Sequence, residues 1–167
     1  KSEADLVPWR DALWEALGPN GRLMVDLVPA LTLLIGDQPP VPELPPPQAQ
    51  RRFQLVFRRF LSVFARPEHP LALFLDDVQW LDAATLDLVE HLLTQPDIRH
   101  LMLIGAYRDN EVPAAHPLRR TLDAIRHAGT LVHEISLGPL ARDDLDRLIV
   151  DALRCEPERA IPLAHLV

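Results

Sequence analysis

The sequence predicts an α/β fold with a helical insert ahead of the sheet and the start of a helical lid behind it. Three observations carry this expectation. Two short, continuous apolar runs at 71–75 (LALFL) and 101–107 (LMLIGAY) flank an amphipathic stretch at 83–94. A third strand is expected at 131–137, after another helical pattern at 117–128. Before residue 48 the chain is either helically patterned or rich in proline.

Ser2 with Asp5 three residues on has the form of a capping box, and Leu6, Trp9, Leu13 and Leu17 succeed it at helical spacing. Gly18-Pro19-Asn20-Gly21 should stop that helix, with a short second one at 22–28. Residues 36–47 (GDQPPVPELPPP) hold six of the 17 prolines and predict an extended connector. The next helix, 48–64, places Phe53, Val56, Phe57, Phe60, Leu61 and Phe64 on one face. Arg51, Arg52, Arg58 and Arg59 lie mostly off that stripe and are expected to form a solvated basic face.

Runs as apolar as 71–75 and 101–107 predict strands buried on both faces. A strand, a helix with Leu86, Val89, Leu92 and Leu93 inward, and a second strand make a βαβ unit. Such a unit implies parallel pairing with a right-handed crossover. A strand at 131–137, an amphipathic helix at 141–153 and a further short helix from about Pro157 complete the expectation.

Composition narrows the function. A chain of 167 residues with 48% hydrophobic and 25% charged residues is long enough to bury a sizeable core and is not of disordered character. The formal net charge of −7 argues against a broad nucleic-acid contact. The most apolar stretch, 23–35, is broken by Asp26 and Pro29, so no membrane contact is expected. Cys155 stands alone and the seven histidines show no paired ligand spacing, which argues against zinc and makes a reduced cytoplasmic setting the simplest one. The chain opens on Lys1-Ser2-Glu3 and stops within an apolar pattern at 163–167, and is therefore expected to be a segment of a longer polypeptide.

In open parallel sheets, ligands bind beyond the carboxyl ends of the strands. There the sequence places Asp76-Asp77 after the first run and Arg108 after the second. Four apolar residues and then an acid pair have the form of a Walker B motif. Its first carboxylate, Asp76, can hold magnesium, usually through water, while Asp77 faces the place where an attacking water would sit. Arg108 could reach a terminal phosphate. Each residue has a plainer reading: the acid pair can cap a turn, and Arg108 can be a surface charge. Asp82 is better read as the cap of the helix from Ala83, and Trp80 as a packing residue.

The runs LFLDDVQWLD, LIGAYRDNEV and LGPLARDDLDRL closely resemble the AAA-type ATPase module of large bacterial signalling proteins, in which it lies between serine/threonine-kinase-like and histidine-kinase regions. These belong to the signal-transduction ATPases with numerous domains (STAND). The upstream stretch from Trp9 to the prolines also resembles that module's helical insert. The resemblance implies a partial three-layer P-loop NTPase fold with parallel strands 71–75, 101–107 and 131–137. It divides the chain into an insert and connector at 1–47, the C-terminal part of the nucleotide-binding core at 48–140 and the start of a lid at 141–167. It makes Asp76 the Walker B aspartate, Asp77 the catalytic acid and Arg108 the sensor 1 arginine. Many such ATPases carry glutamate where Asp77 stands, and the shorter arm suggests slow turnover.

A phosphate-cradling GxxxxGK[ST] loop is not found, since none of the six glycines is followed by lysine. Lys1-Ser2 does not qualify, because Glu3-Ala4-Asp5 and Pro8 open an amphipathic surface helix instead. The family places this loop and the first two strands upstream of the insert. ATP or ADP with magnesium is thus the cofactor expected of the parent protein, with none expected to bind tightly to this segment alone. Partners expected are neighbouring domains of the same polypeptide and a possible second copy. The rival expectation is a non-catalytic module for contacts between domains. A histidine-kinase segment is disfavoured, because no histidine sits in a phosphoacceptor-helix context. The strand carrying the loop would lie between 101–107 and 131–137, leaving roughly 9 to 10 Å between those two strands.

Overall fold

The computed structural model describes residues 3–154 and 156. It falls into two compact units, 1–132 and 133–167.

The first unit opens with α1 (Glu3–Leu17), then a tight turn at Gly18–Asn20 and α2 (Gly21–Leu27). A second tight turn leads to the four-residue α3 (Thr32–Ile35). Ser2, the expected cap of α1, lies outside the described residues. Gly36 ends α3 at φ 71°, a left-handed conformation that suits glycine. The proline-rich connector has no regular structure up to Pro45. Helix α4 (Pro46–Phe64) begins two residues earlier than expected. Prolines fit this first turn because its N–H groups have no helical partner to lose.

Helices α1 to α4 share one hydrophobic core. Leu13, Leu17, Met24, Ile35, Val56 and Val63 are buried together, with Trp9, Phe57 and Phe64 packed against them. Trp9 stacks on Phe64 at 5.6 Å between ring centroids. The arginines of α4 depart from the expected solvated face. Arg51 and Arg59 are exposed, but Arg58 pairs with Asp97 at 3.2 Å and Arg52 donates to the Pro42 carbonyl at 2.8 Å. Their charged heads tie the helix to the chain on either side.

Strands β1 (Leu71–Leu75) and β2 (Leu101–Gly105) pair in parallel, Leu71 opposite Leu101 and Leu75 opposite Gly105. Helix α5 (Ala83–Thr94) makes the crossover, and α6 (Pro117–His127) comes after β2 and packs on α5. Thr130 fastens the end of α6 by donating to the Leu93 carbonyl at 2.6 Å. A second core gathers Val78, Leu86, Val112 and Leu118, with Leu75 and Tyr107 at its margin.

Two expectations are corrected here. The strands are covered on one face only, since Phe74, Met102 and Ile104 on the other face are exposed. Apolar runs report what a face can bury, whereas within the first unit no described element lies over this one. The third strand, 131–137, is also absent: these residues have no regular structure, and Leu131, Ile135 and Leu137 are at least 80% exposed. A strand exists only with a hydrogen-bonded neighbour, and the strand expected beside 131–137 is the loop-bearing one, which these 167 residues do not supply; the described sheet consists of β1 and β2. The second unit contains α7 (Arg142–Leu153), as its amphipathic pattern predicts. The short helix expected from about Pro157 lies outside the described residues.

Candidate functional site

The parallel register brings the ends of β1 and β2 side by side, so the loops after them meet. The Leu75 carbonyl accepts from Ala106 N–H at 2.9 Å, and the Ala106 carbonyl accepts from Val78 N–H at 3.0 Å. These two bonds carry the pairing past the strands and fix the loop that bears the acids. Asp77 turns the chain at φ 50°, ψ 42°, a left-handed conformation rare outside glycine and more accessible to Asp and Asn than to other residues. Its N–H donates to Asp76 Oδ1 at 3.0 Å. Residues Val78–Trp80 then form a tight turn ahead of α5.

All three residues expected from sequence are together. Asp76 is exposed and Asp77 partly covered, at the carboxyl end of β1. Arg108 comes from the loop after β2, with Nε 3.8 Å from Asp77 Oδ1 and Nη1 3.3 Å from Glu111 Oε1. Its guanidinium carbon also lies 5.7 Å from the centre of the Trp80 ring. Trp80 is 66% exposed, so the packing role expected for it is not seen. The tight turn points the indole outward, where the cation covers it.

Asp82 caps α5 by accepting from Thr85 N–H at 2.7 Å. Hydrogen bonds from the Thr85 side chain and backbone hold its carboxyl below the usual aspartate value.

Gln79 and Glu111, to which sequence reasoning assigned no role, also join the site. Gln79 is 5% exposed, and its Nε2 donates to Asp77 Oδ1 at 3.0 Å and to Glu111 Oε2 at 3.2 Å. Neither residue has an apolar period or a motif to announce it; the signal available was only their closeness in sequence to the acid pair and to Arg108.

Among the described residues no group of three or more side chains forms a metal cage. Two adjacent carboxylates nevertheless fit magnesium, which keeps several waters and completes its shell on substrate phosphates. The phosphate end is different, because among the described residues no lysine or glycine-rich turn stands beside these acids. A cleft of about 490 Å³ lies elsewhere, between α4 and α5, lined by Arg51, Asp87 and His91 among others. None of Asp76, Asp77 and Arg108 lines it, and the chemistry at the strand ends outweighs its size.

The chain is similar to hybrid signal transduction histidine kinase G of Dictyostelium discoideum, at 38% identity over 92 residues. That stretch is 55% of this chain and 3% of the relative, so the chain spans a small part of the protein it matches. No solved structure matches it. The model of the AAA ATPase domain family matches residues 1–104, which include both acids and stop just short of Arg108, and the chain belongs to that family.

Proposed function

We propose that this chain is part of a nucleotide-binding switch in a cytoplasmic signal-transduction protein of the STAND type. One observation carries the reading: an acid pair and an arginine from successive parallel strand ends converge, with Arg108 Nε 3.8 Å from Asp77 Oδ1. Asp76 would hold magnesium through water, Asp77 would orient the attacking water, and Arg108 would sense the terminal phosphate of ATP against ADP. Magnesium and the triphosphate supply the electrophilic phosphorus; the residues supply position and charge. The phosphate-cradling loop would come from sequence outside these 167 residues. Residues 141–167 would begin a lid whose position tracks the nucleotide and gates neighbouring domains. An aspartate at the water-orienting position suits slow turnover.

Calorimetric titration with Mg-ATP tests this in two proteins. The 167-residue chain alone should show no micromolar binding, because its carboxylates repel a triphosphate. The full-length protein should bind, and Asp76→Asn should weaken that binding. A micromolar dissociation constant for the isolated chain, about −8 kcal/mol, or a silent full-length protein would overturn the proposal.

A second reading, a non-catalytic interaction module, is favoured by the exposed apolar sheet face at Phe74, Met102 and Ile104. Self-association through that face would accompany it.

A further inference from the structure

From its contacts we infer that Gln79 is the positioning residue of Asp77, a carboxamide clamp that holds the water-orienting acid against Glu111. The inference rests on the nucleotide-switch reading above and extends it to a residue that reading leaves out.

Gln79 is 5% exposed, although Asp76 and Trp80 beside it in the loop are open to solvent. Burying a carboxamide is unfavourable unless its hydrogen bonds are made. Here the two hydrogens of Nε2 go to two different acids, Asp77 Oδ1 at 3.0 Å and Glu111 Oε2 at 3.2 Å. The amide can face only one way, since its oxygen would be repelled by both carboxylates. Glu111 spends its other oxygen on Arg108. Asp77, Gln79, Glu111 and Arg108 thus close a ring, in which Arg108 Nε returns to 3.8 Å from Asp77 Oδ1.

The ring divides the oxygens of Asp77. Oδ1 is held by Gln79, which leaves Oδ2 to accept a proton or hydrogen bond from a water. The clamp also spans the left-handed turn at Asp77, tying its carboxylate to a side chain two residues on. Gln79 Oε1 is buried and has no partner. An acceptor in that state calls for a donor, and water is the smallest that fits. Both hydrogen bonds of Gln79 go to carboxylates, so its effect on turnover would pass through Asp77.

Two measurements test the clamp, one needing no nucleotide. In the ¹H–¹⁵N spectrum of this chain, assigned by the loss of its signals in Gln79→Met, both carboxamide protons of Gln79 should exchange slowly with solvent. Asp77→Asn should shift one of them and Glu111→Gln the other. Free exchange, or no shift in either variant, overturns the clamp whatever the protein binds. In the full-length protein, Gln79→Met keeps the shape without the donors, and Gln79→Glu replaces them with a third carboxylate. Both should lower kcat for Mg-ATP by about tenfold to a hundredfold, with KM changed less than about twofold. A merely structural role would move stability and KM instead. Normal kcat in both variants, beside an active wild type and a protected carboxamide, overturns the positioning role. A wild type that binds no nucleotide, with the carboxamide still protected, overturns the switch reading and with it the positioning role, leaving the clamp as architecture.

Discussion

Arg108 and Asp77 face each other across the ends of two parallel strands, with Nε 3.8 Å from Oδ1, and Glu111 holds the same guanidinium at 3.3 Å. The arginine is more than half exposed, so these contacts are screened by water and worth little in stability. Their interest is competition. A terminal phosphate would draw Arg108 with a charge greater than either carboxylate offers, at the expense of contacts that are easily given up. Arg108→Ala in the full-length protein is therefore expected to bring the affinities for ATP and ADP together while leaving ADP binding nearly unchanged. Paired titrations with the two nucleotides check this. Preserved discrimination would return Arg108 to the role of a surface charge.

The two acids should separate by function. Asp76→Asn is expected to weaken magnesium-dependent binding, whereas Asp77→Asn should spare binding and abolish turnover, a loss of roughly a hundredfold or more. Binding and phosphate release measured on the same preparations distinguish them. Unchanged turnover in Asp77→Asn would leave that aspartate as a turn residue held by Gln79.

Much of this site was legible because strands announce their own ends. The apolar runs at 71–75 and 101–105 are continuous, and in a parallel pair the residues next after each run must lie at the same edge of the sheet. Asp82 was legible for a local reason, since a cap is read from its own helix. Gln79 and Glu111 were not, because their pairing spans 32 residues and depends on how two loops meet. The failure at 131–137 is of another kind. Leu131, Val132, Ile135 and Leu137 favour a strand, but pairing is a property of two segments and the composition of one is silent about the other.

Helix α5 offers a pH test remote from the acids. Burial first, then the Arg58 guanidinium, pushes His91 below its ordinary value of 6.5, and Asp97 opposes them weakly. Its Nε2 is buried without a partner. Arg51, Asp87 and Glu90 also line the adjoining cleft. A histidine lowered in the folded state is protonated more readily when unfolded, so stability is fully present above about pH 6.5 and falls as pH drops toward the folded value. Replacing it by His91→Gln should flatten the fall of the denaturation midpoint below about pH 6.5. An identical slope in wild type and variant would remove His91 from the acid response.

The open sheet face sets the behaviour of the chain in solution. Phe74, Met102 and Ile104 are 62%, 57% and 43% exposed on neighbouring strands. They form one apolar patch, and beside it β2 has a free backbone edge, since the described sheet contains only two strands. Unpaired edges and apolar patches both recruit other chains, the first by hydrogen bonds and the second by burial. The chain should therefore self-associate as its concentration rises. The double variant Phe74→Lys with Ile104→Lys should suppress this, because two ammonium groups on the patch repel a second copy and both point away from the packed face. Sedimentation velocity across a hundredfold range of concentration reads the difference. The wild type should shift toward larger species while the variant stays monomeric, with its helical circular dichroism unchanged. A wild type monomeric throughout would mean that the face is covered in solution, and a variant that still associates would move the contact to the β2 edge.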